Sequence, residues 1–446
     1  MIYVECWSEM KKFTLSIVII LFYTVTSFAA DRFVSDELLV RFDDSVSSDD
    51  SDAIIRSHKG RKTGDNTRHR IKRMKLSPGE MNSVKAALKR DPRITFVEPN
   101  YIRDPHLTPN DTYFSSEWHL PKISSQTAWD ISSGKAEVVI AVLDTGVDPS
   151  HPDLSGKLVA GYNFVADNSD THDVYGHGTK VAGSAAAISN NGVGVTGVAW
   201  GNRVMPLMIS DATGSANDFD LAQAIEYAAD HGSRVINISF GGPDYSFTLQ
   251  NAVNYAWNKG AVIVASAGNN NTTAPSYPAA CNNVLSVAAT DQSDKKASFS
   301  SYGNWVGVSA PGVSIYTTTN GGGYGIANGT SFSAPITAGV AALILSVNPS
   351  LTNQQVVNMI VQNADSIGIS GMGSGRINLY RSLVAAKGSL LKPGDCDGNG
   401  QITIDEVQGA INMYLGLKTP AVCVDVNSNG VTIDEVQKVI NGYLGL

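Results

Sequence analysis

Two unbroken apolar runs constrain this chain more than any other feature. Val138-Val139-Ile140-Ala141-Val142-Leu143 and Ala261-Val262-Ile263-Val264-Ala265 carry no polar residue, and Val235-Ile236-Asn237-Ile238 is a shorter relative of them. A strand with one wet face alternates apolar and polar residues. A continuous run needs cover on both faces, as in a parallel sheet layered between helices. Helical stretches fall between the runs, at 218–231 and 249–259. The alternation predicts an α/β domain with a doubly wound parallel sheet.

The chain has 446 residues, room for two to four domains at roughly 100–200 residues each. Lys11 and Lys12 precede an apolar stretch from Leu15 to Val25, and Ser27-Phe28-Ala29 follows. This is the pattern of a secretory signal over 1–29, and Met10 is a better start than Met1. The apolar stretch is short for a membrane span. Residues 30–107 read as a small α+β unit. Its strands are expected at Leu38–Phe42 and Ile94–Val97. Ser77-Pro78-Gly79-Glu80 reads as a capping box, with Pro at the first helical position, opening a helix that runs to Leu88. The main α/β domain spans 108–387 and a linker spans 388–394. In 395–446, Ile404-Asp405-Glu406-Val407-Gln408 recurs as Ile433-Asp434-Glu435-Val436-Gln437, the mark of a duplicated loop–helix unit.

Net charge is −8, which argues against a nucleic-acid partner. Residues 30–107 hold 16 basic and 13 acidic residues, whereas 108–446 hold 15 basic and 26 acidic. Opposite net signs fit association of the two parts. The four cysteines are Cys6, Cys281, Cys396 and Cys423, too few for a disulfide scaffold.

Three stretches carry chemistry. Asp144-Thr145-Gly146 ends the first apolar run. Gly176-His177-Gly178-Thr179 opens a helical stretch. Gly329-Thr330-Ser331 leads toward another, over 336–345. Functional groups of parallel sheets gather at strand carboxyl ends. A serine hydroxyl becomes nucleophilic when an imidazole takes its proton and a buried carboxylate fixes that imidazole. Asn269, in Ala267-Gly268-Asn269 after a strand, can donate to an oxyanion. A nucleophile elbow, Gly-x-Ser-x-Gly with the order Ser, Asp, His, is absent, which excludes that esterase class.

These motifs resemble the subtilisin-like serine proteases over nearly all of 108–387. The similarity includes Thr108-Pro109-Asn110-Asp111, His151-Pro152-Asp153-Leu154, Ser239-Phe240-Gly241-Gly242 and Asn190-Asn191-Gly192. It implies an endopeptidase in which Asp144 orients, His177 is base and acid, Ser331 is nucleophile and Asn269 is oxyanion donor. It implies pocket walls at Ser239, Phe240, Gly241 and at Ala265, Ser266, Ala267, Gly268, with Ser276 at the base. No acidic residue stands there, so an apolar or aromatic side chain is expected before the scissile bond. It implies a Ca²⁺ site from Asp111, Asp153 and Asn191 with the carbonyls of Ile188, Val193 and Val195. Lys180, Phe332 and Ile336 depart from the family pattern without removing a triad atom.

Residues 30–107 resemble the family's inhibitory propeptide, which implies an intramolecular inhibitor and a zymogen. The tail resembles a dockerin-type pair of EF-hand-like loops. That implies Ca²⁺ on Asp395, Asp397, Asn399, Gln401, Thr403 and Glu406, and a protein partner or a cell-surface attachment. The second loop reaches Glu435 one residue early. Export would permit a disulfide joining Cys396 to Cys423.

Overall fold

The computed structural model describes residues 33–102, 107–388, 394–396, 402–418, 420, 421, 423–425 and 430–444. The signal segment, Asp397, Asn399 and Gln401 lie outside them. The chain divides into two compact units, 1–105 and 106–446. Leu107 belongs to the second: it packs on that unit's core and its N–H donates to Asp130 at 3.0 Å.

The first unit is a four-stranded antiparallel sheet. Its strands run, edge to edge, Arg61–Asn66, Ile71–Lys75, Phe33–Phe42 and Ile94–Tyr101, with helices Ser48–Ser57 and Met81–Leu88. Leu38, Val40 and Phe42 alternate into its core and meet Ile54, Ile55, Met74 and Leu88. The capping box expected at Ser77 does not form. Gly79 sits at φ +86°, which breaks helical continuity, so Ser77 and Pro78 form a turn and Glu80 becomes the N-cap without a side-chain bond.

The second unit is built on seven parallel strands. They are β1 (Val139–Asp144), β2 (Tyr162–Asn163), β3 (Arg203–Met208), β4 (Val235–Ile238), β5 (Val262–Ser266), β6 (Val284–Thr290) and β7 (Val308–Pro311), in the order β7-β6-β5-β4-β1-β3-β2. Consecutive residues of one strand enter opposite cores. Ile140 and Val142 join a cluster with Val181, Ala185, Ile336 and Val340. Ala141 and Leu143 join another with Leu221, Ile225, Leu249 and Val253. This two-sided burial is why the run has no polar position. The first face is covered by α1 (His177–Ala186) and α4 (Thr330–Val347), the second by α2 (Asp218–Asp230) and α3 (Phe247–Asn258).

Helix α4 begins earlier than the sequence suggests, with Pro335 inside it. Proline has no N–H to give the Ser331 carbonyl one turn back. Ser239 Oγ donates to that carbonyl instead, at 3.0 Å. The helix is long and apolar enough for a membrane, but 89% of that stretch is buried inside the unit, as a core helix is.

After α5 (Asn353–Gln362) and α6 (Leu379–Gly388) the chain reaches the repeated segment, α7 (Ile404–Tyr414) and α8 (Ile433–Leu444). Cys396 and Cys423 are disulfide-bonded, and Cys281 is a buried thiol. Val407, Ala410, Met413, Cys423, Val424, Val436 and Val439 form the small core. Tyr414, Leu415, Tyr443 and Leu444, at the helix ends, are exposed. The buried stripe recurs every three residues and turns those positions outward.

Candidate active site

β1 is flanked by β3 on one side and β4 on the other, so chain direction across the sheet reverses there. The carboxyl end of such a strand opens on a crevice. Asp144 is its last residue and is 0% exposed. Its Oδ1 accepts from the Thr145 N–H at 2.8 Å and lies 2.7 Å from His177 Nδ1.

His177 is the first residue of α1, and Gly178 behind it must be glycine. A Cβ there would lie 2.0 Å from the Gly146 carbonyl and 3.0 Å from Asp144 Cβ. Burial disfavours the imidazolium. The Asp144 charge and hydrogen bond outweigh this, and the His177 pKa is raised above its ordinary value.

The loop entering His177 is tied to a second carboxylate. Asp173 Oδ1 accepts from Thr145 Oγ1 at 2.7 Å and from the Gly176 N–H at 2.6 Å, and Oδ2 accepts from the Thr179 N–H and hydroxyl. Sequence reasoning gave Asp173 no role. The signal was an aspartate four residues before a histidine that opens a helix, in reach of that helix's free N–H groups.

Ser331 lies in the first turn of α4, 8% exposed, and its hydroxyl makes a long 3.4 Å bond to the Ser239 carbonyl. Asn269 stands across the same cleft. Its Oδ1 accepts from the Thr330 N–H and hydroxyl, both at 2.9 Å, which commits its NH₂ group to the opposite direction. Thr330 also accepts from the Gly268 N–H at 3.1 Å. The sequence hides this role, because only folding brings residues 269 and 330 together.

The cleft has a volume of about 470 Å³. Ser239, Phe240, Gly241, Ser266, Gly268 and Ser276 line it with His177, Asn269 and Ser331. Ala265 and Ala267 are not among its lining residues. Their side chains are fully buried behind the wall, since alternate residues point away from a strand face. Phe240 and Phe332 pack on the His177 ring.

Asp111, Asp153 and Asn191 also come together. Asp111 accepts from the N–H groups of Asn190 and Asn191 and from Thr196 Oγ1. Asp153 accepts from Asn191 Nδ2 and the Val195 N–H. Val193 donates its N–H to Asn191 Oδ1, and Ile188 donates its N–H to the Asp153 carbonyl. Both aspartates are buried, and no ion pair reaches either among the described residues. Glu117, also buried, donates no charge relief: burial first, then Asp111 and Asp153, push its pKa well above the usual range. Two buried carboxylates that accept neutral hydrogen bonds and meet no side-chain cation among the described residues hold uncompensated charge.

In the tail, Glu406 accepts from the Cys396 N–H at 2.7 Å and from the Thr403 N–H at 2.8 Å. Thr403 caps α7 in a full capping box. Thr432 and Glu435 repeat the Thr403–Glu406 bonds. The second loop's missing residue therefore falls before Thr432, not within the cap. Asp395 and Asp425 are buried.

Residues 135–411 match the Subtilase family, and residues 24–100 match the Fervidolysin N-terminal prodomain. The chain is 42% identical over 356 residues to the thermophilic serine proteinase of a Bacillus species, across 79% of this chain and 88% of that protein. It is 46% identical over 279 residues to the thermitase of Thermoactinomyces vulgaris, across 62% of this chain and 99% of that protein. The solved structure of a protease from Pseudoalteromonas arctica superposes with a TM-score of 0.60 at 32% identity, covering 63% of this chain and 100% of that one. Fold and relatives together define a subtilisin-like serine protease. The chain belongs to the subtilase family and carries an N-terminal prodomain of the fervidolysin type.

Proposed function

We propose that this protein is a secreted endopeptidase whose triad is Asp144, His177 and Ser331. The observation that carries the reading is the 2.7 Å bond from His177 to a buried Asp144, in one cleft with Ser331 and Asn269. His177 takes the Ser331 proton as Oγ attacks the peptide carbonyl, then gives it to the leaving amine. Asp144 holds the imidazole tautomer and stabilises its cation. The Asn269 NH₂ donates to the oxyanion. An extended substrate lies along Ser239–Gly241 and Ser266–Gly268 as an added strand. Ser276 leaves the primary pocket without a charge, which favours an apolar or aromatic residue there.

Residues 30–107 act as the intramolecular inhibitor of the zymogen, and the signal over 1–29 directs export. Ca²⁺ held by Asp111, Asp153, Asn191 and the carbonyls of Ile188, Val193 and Val195 would neutralise buried charge. The tail binds Ca²⁺ through Asp395, Asp397, Asn399, Gln401, Thr403 and Glu406, and it carries a protein partner or surface attachment. Ser331→Ala tests the reading. The variant should hydrolyse no peptide and keep its prodomain attached in a folded precursor. Hydrolysis and self-processing at the wild-type rate would overturn it.

A further inference from the structure

β4 is buried at all four of its positions, yet the third is polar: Asn237, with no exposed surface. Asn237 pairs laterally with Val142 of β1 and Val264 of β5, and both valines belong to the core that α4 covers. Laterally paired side chains share a sheet face, so the amide stands on the α4 side of the sheet. An amide in such a place costs more than an apolar side chain unless a hydrogen bond holds it.

Asn237 Nδ2 donates to Ser239 Oγ at 3.0 Å, and Ser239 Oγ donates to the Ser331 carbonyl at 3.0 Å. A serine hydroxyl has one hydrogen to give. With that hydrogen on the Ser331 carbonyl, Ser239 Oγ faces Asn237 as an acceptor, which turns the NH₂ end of the amide toward it. Asn237 Oδ1 accepts no hydrogen bond among the described residues. The carbonyl at the end of this chain of bonds is the one that Pro335 leaves without a helical donor. It belongs to the nucleophile, whose own hydroxyl reaches back to the Ser239 carbonyl at 3.4 Å. Ser239 and Ser331 thus hold each other by two bonds, and Asn237 sets the direction of one of them.

We propose that Asn237 is a positioning residue for the nucleophile: it orients the Ser239 hydroxyl onto the Ser331 carbonyl and so fixes the turn that presents Ser331 Oγ to the cleft. The proposal rests on the peptidase reading. Without the amide the Ser239 hydroxyl can rotate away. The Ser331 carbonyl then loses its donor, and the first turn of α4 can shift beneath the nucleophile. Asn237 is not among the residues that line the cleft, so its removal acts on the chemical step and not on the hold on substrate.

The test compares wild type with Asn237→Leu, Asn237→Asp, Ser239→Ala and the double variant of Asn237→Leu with Ser239→Ala. Each is matured from the full chain, and active enzyme is counted by titration with a fluorophosphonate. Asn237→Leu should lower kcat by about tenfold or more, the cost of a small misplacement of a reacting group, with KM unchanged within about twofold. The rate of fluorophosphonate labelling, which needs the nucleophile but no peptide contacts, should fall by the same factor. Asn237→Asp keeps the size of the side chain and puts an acceptor where the donor stood. It should lose at least as much, and it carries the test if the leucine variant does not mature. Ser239→Ala should also lose at least as much as Asn237→Leu, and the double variant should be no slower than Ser239→Ala, because both changes cut one chain of bonds. A wild-type kcat and labelling rate in an Asn237 variant or in Ser239→Ala, a loss confined to KM, or losses that multiply in the double variant would overturn the positioning role. Absence of both labelling and hydrolysis in wild type would instead overturn the peptidase reading beneath it.

Discussion

The peptidase body and the C-terminal helix pair both gather acidic side chains, but on very different amounts of core. In the body, Asp144 ends a strand clamped between two large clusters, and Asp111, Asp153 and Asn191 arrive from distant segments already hydrogen-bonded. In the tail, Asp395 and Glu406 are close in sequence and stand, among the described residues, on a small cluster that includes the disulfide-bonded Cys423. A core that small is marginal without staples. Geometry in the body is therefore imposed by packing. In the tail it leans on the Cys396–Cys423 disulfide.

The contrast would break most visibly at Asp144. Asp144→Asn should lower kcat by about 10⁴-fold, because the imidazole loses its tautomer partner while the packing remains. The base must be neutral to act, so kcat/KM rises as pH climbs through the His177 pKa. In wild type that limb lies above the ordinary imidazole value, because Asp144 outweighs burial. In Asp144→Asn burial is left to act, and the limb should move to lower pH. A limb that stays in place would show that Asp144 does not set the charge of His177.

The oxyanion donor comes next. Asn269→Leu should cost about 10²–10³-fold in kcat with KM little changed. Thr330→Val should cost less, about tenfold, since it removes one of two bonds orienting the amide and leaves the amide in place. An effect of Thr330→Val confined to KM would remove its orienting role.

Stability separates the regions further. In an inactive tail-less protein, chelation should lower the unfolding midpoint, since a ligand of the native state contributes several kcal/mol when far above its Kd. Asp153→Ala in that background should abolish the calcium dependence, read by calorimetry. An equal chelator shift in both proteins would remove this site from the account.

The smallest effect on catalysis belongs to the tail. Its disulfide closes a separation of 27 residues and contributes about 3 kcal/mol to that module. Cys396→Ser with Cys423→Ser should abolish the tail's helical dichroism in chelator and leave hydrolysis of a small peptide within about twofold. A large loss of hydrolysis would join the two regions into one cooperative unit.

The legibility of the chain follows the same division. The strands, and the placement of Asp144 at a strand end and of His177 and Ser331 near helix starts, were readable because two-faced burial and helix-terminal motifs leave local patterns. Thr330 was not, because it acts on a partner far away in sequence, Asn269. The body's helix start was misplaced at Pro335, since only the fold supplies Ser239 to the carbonyl that proline leaves unpaired. In the small units local signals misled. Gly79 turned an expected capping box into a turn.

The most direct test of the central claim is to locate the nucleophile chemically. Mature wild type and Asp144→Asn are treated with a fluorophosphonate, and the adduct is mapped by mass spectrometry. One adduct per molecule on Ser331, formed far more slowly in Asp144→Asn, is the predicted result. Labelling at another residue, or at Ser331 with equal speed in both proteins, would contradict a triad of Asp144, His177 and Ser331.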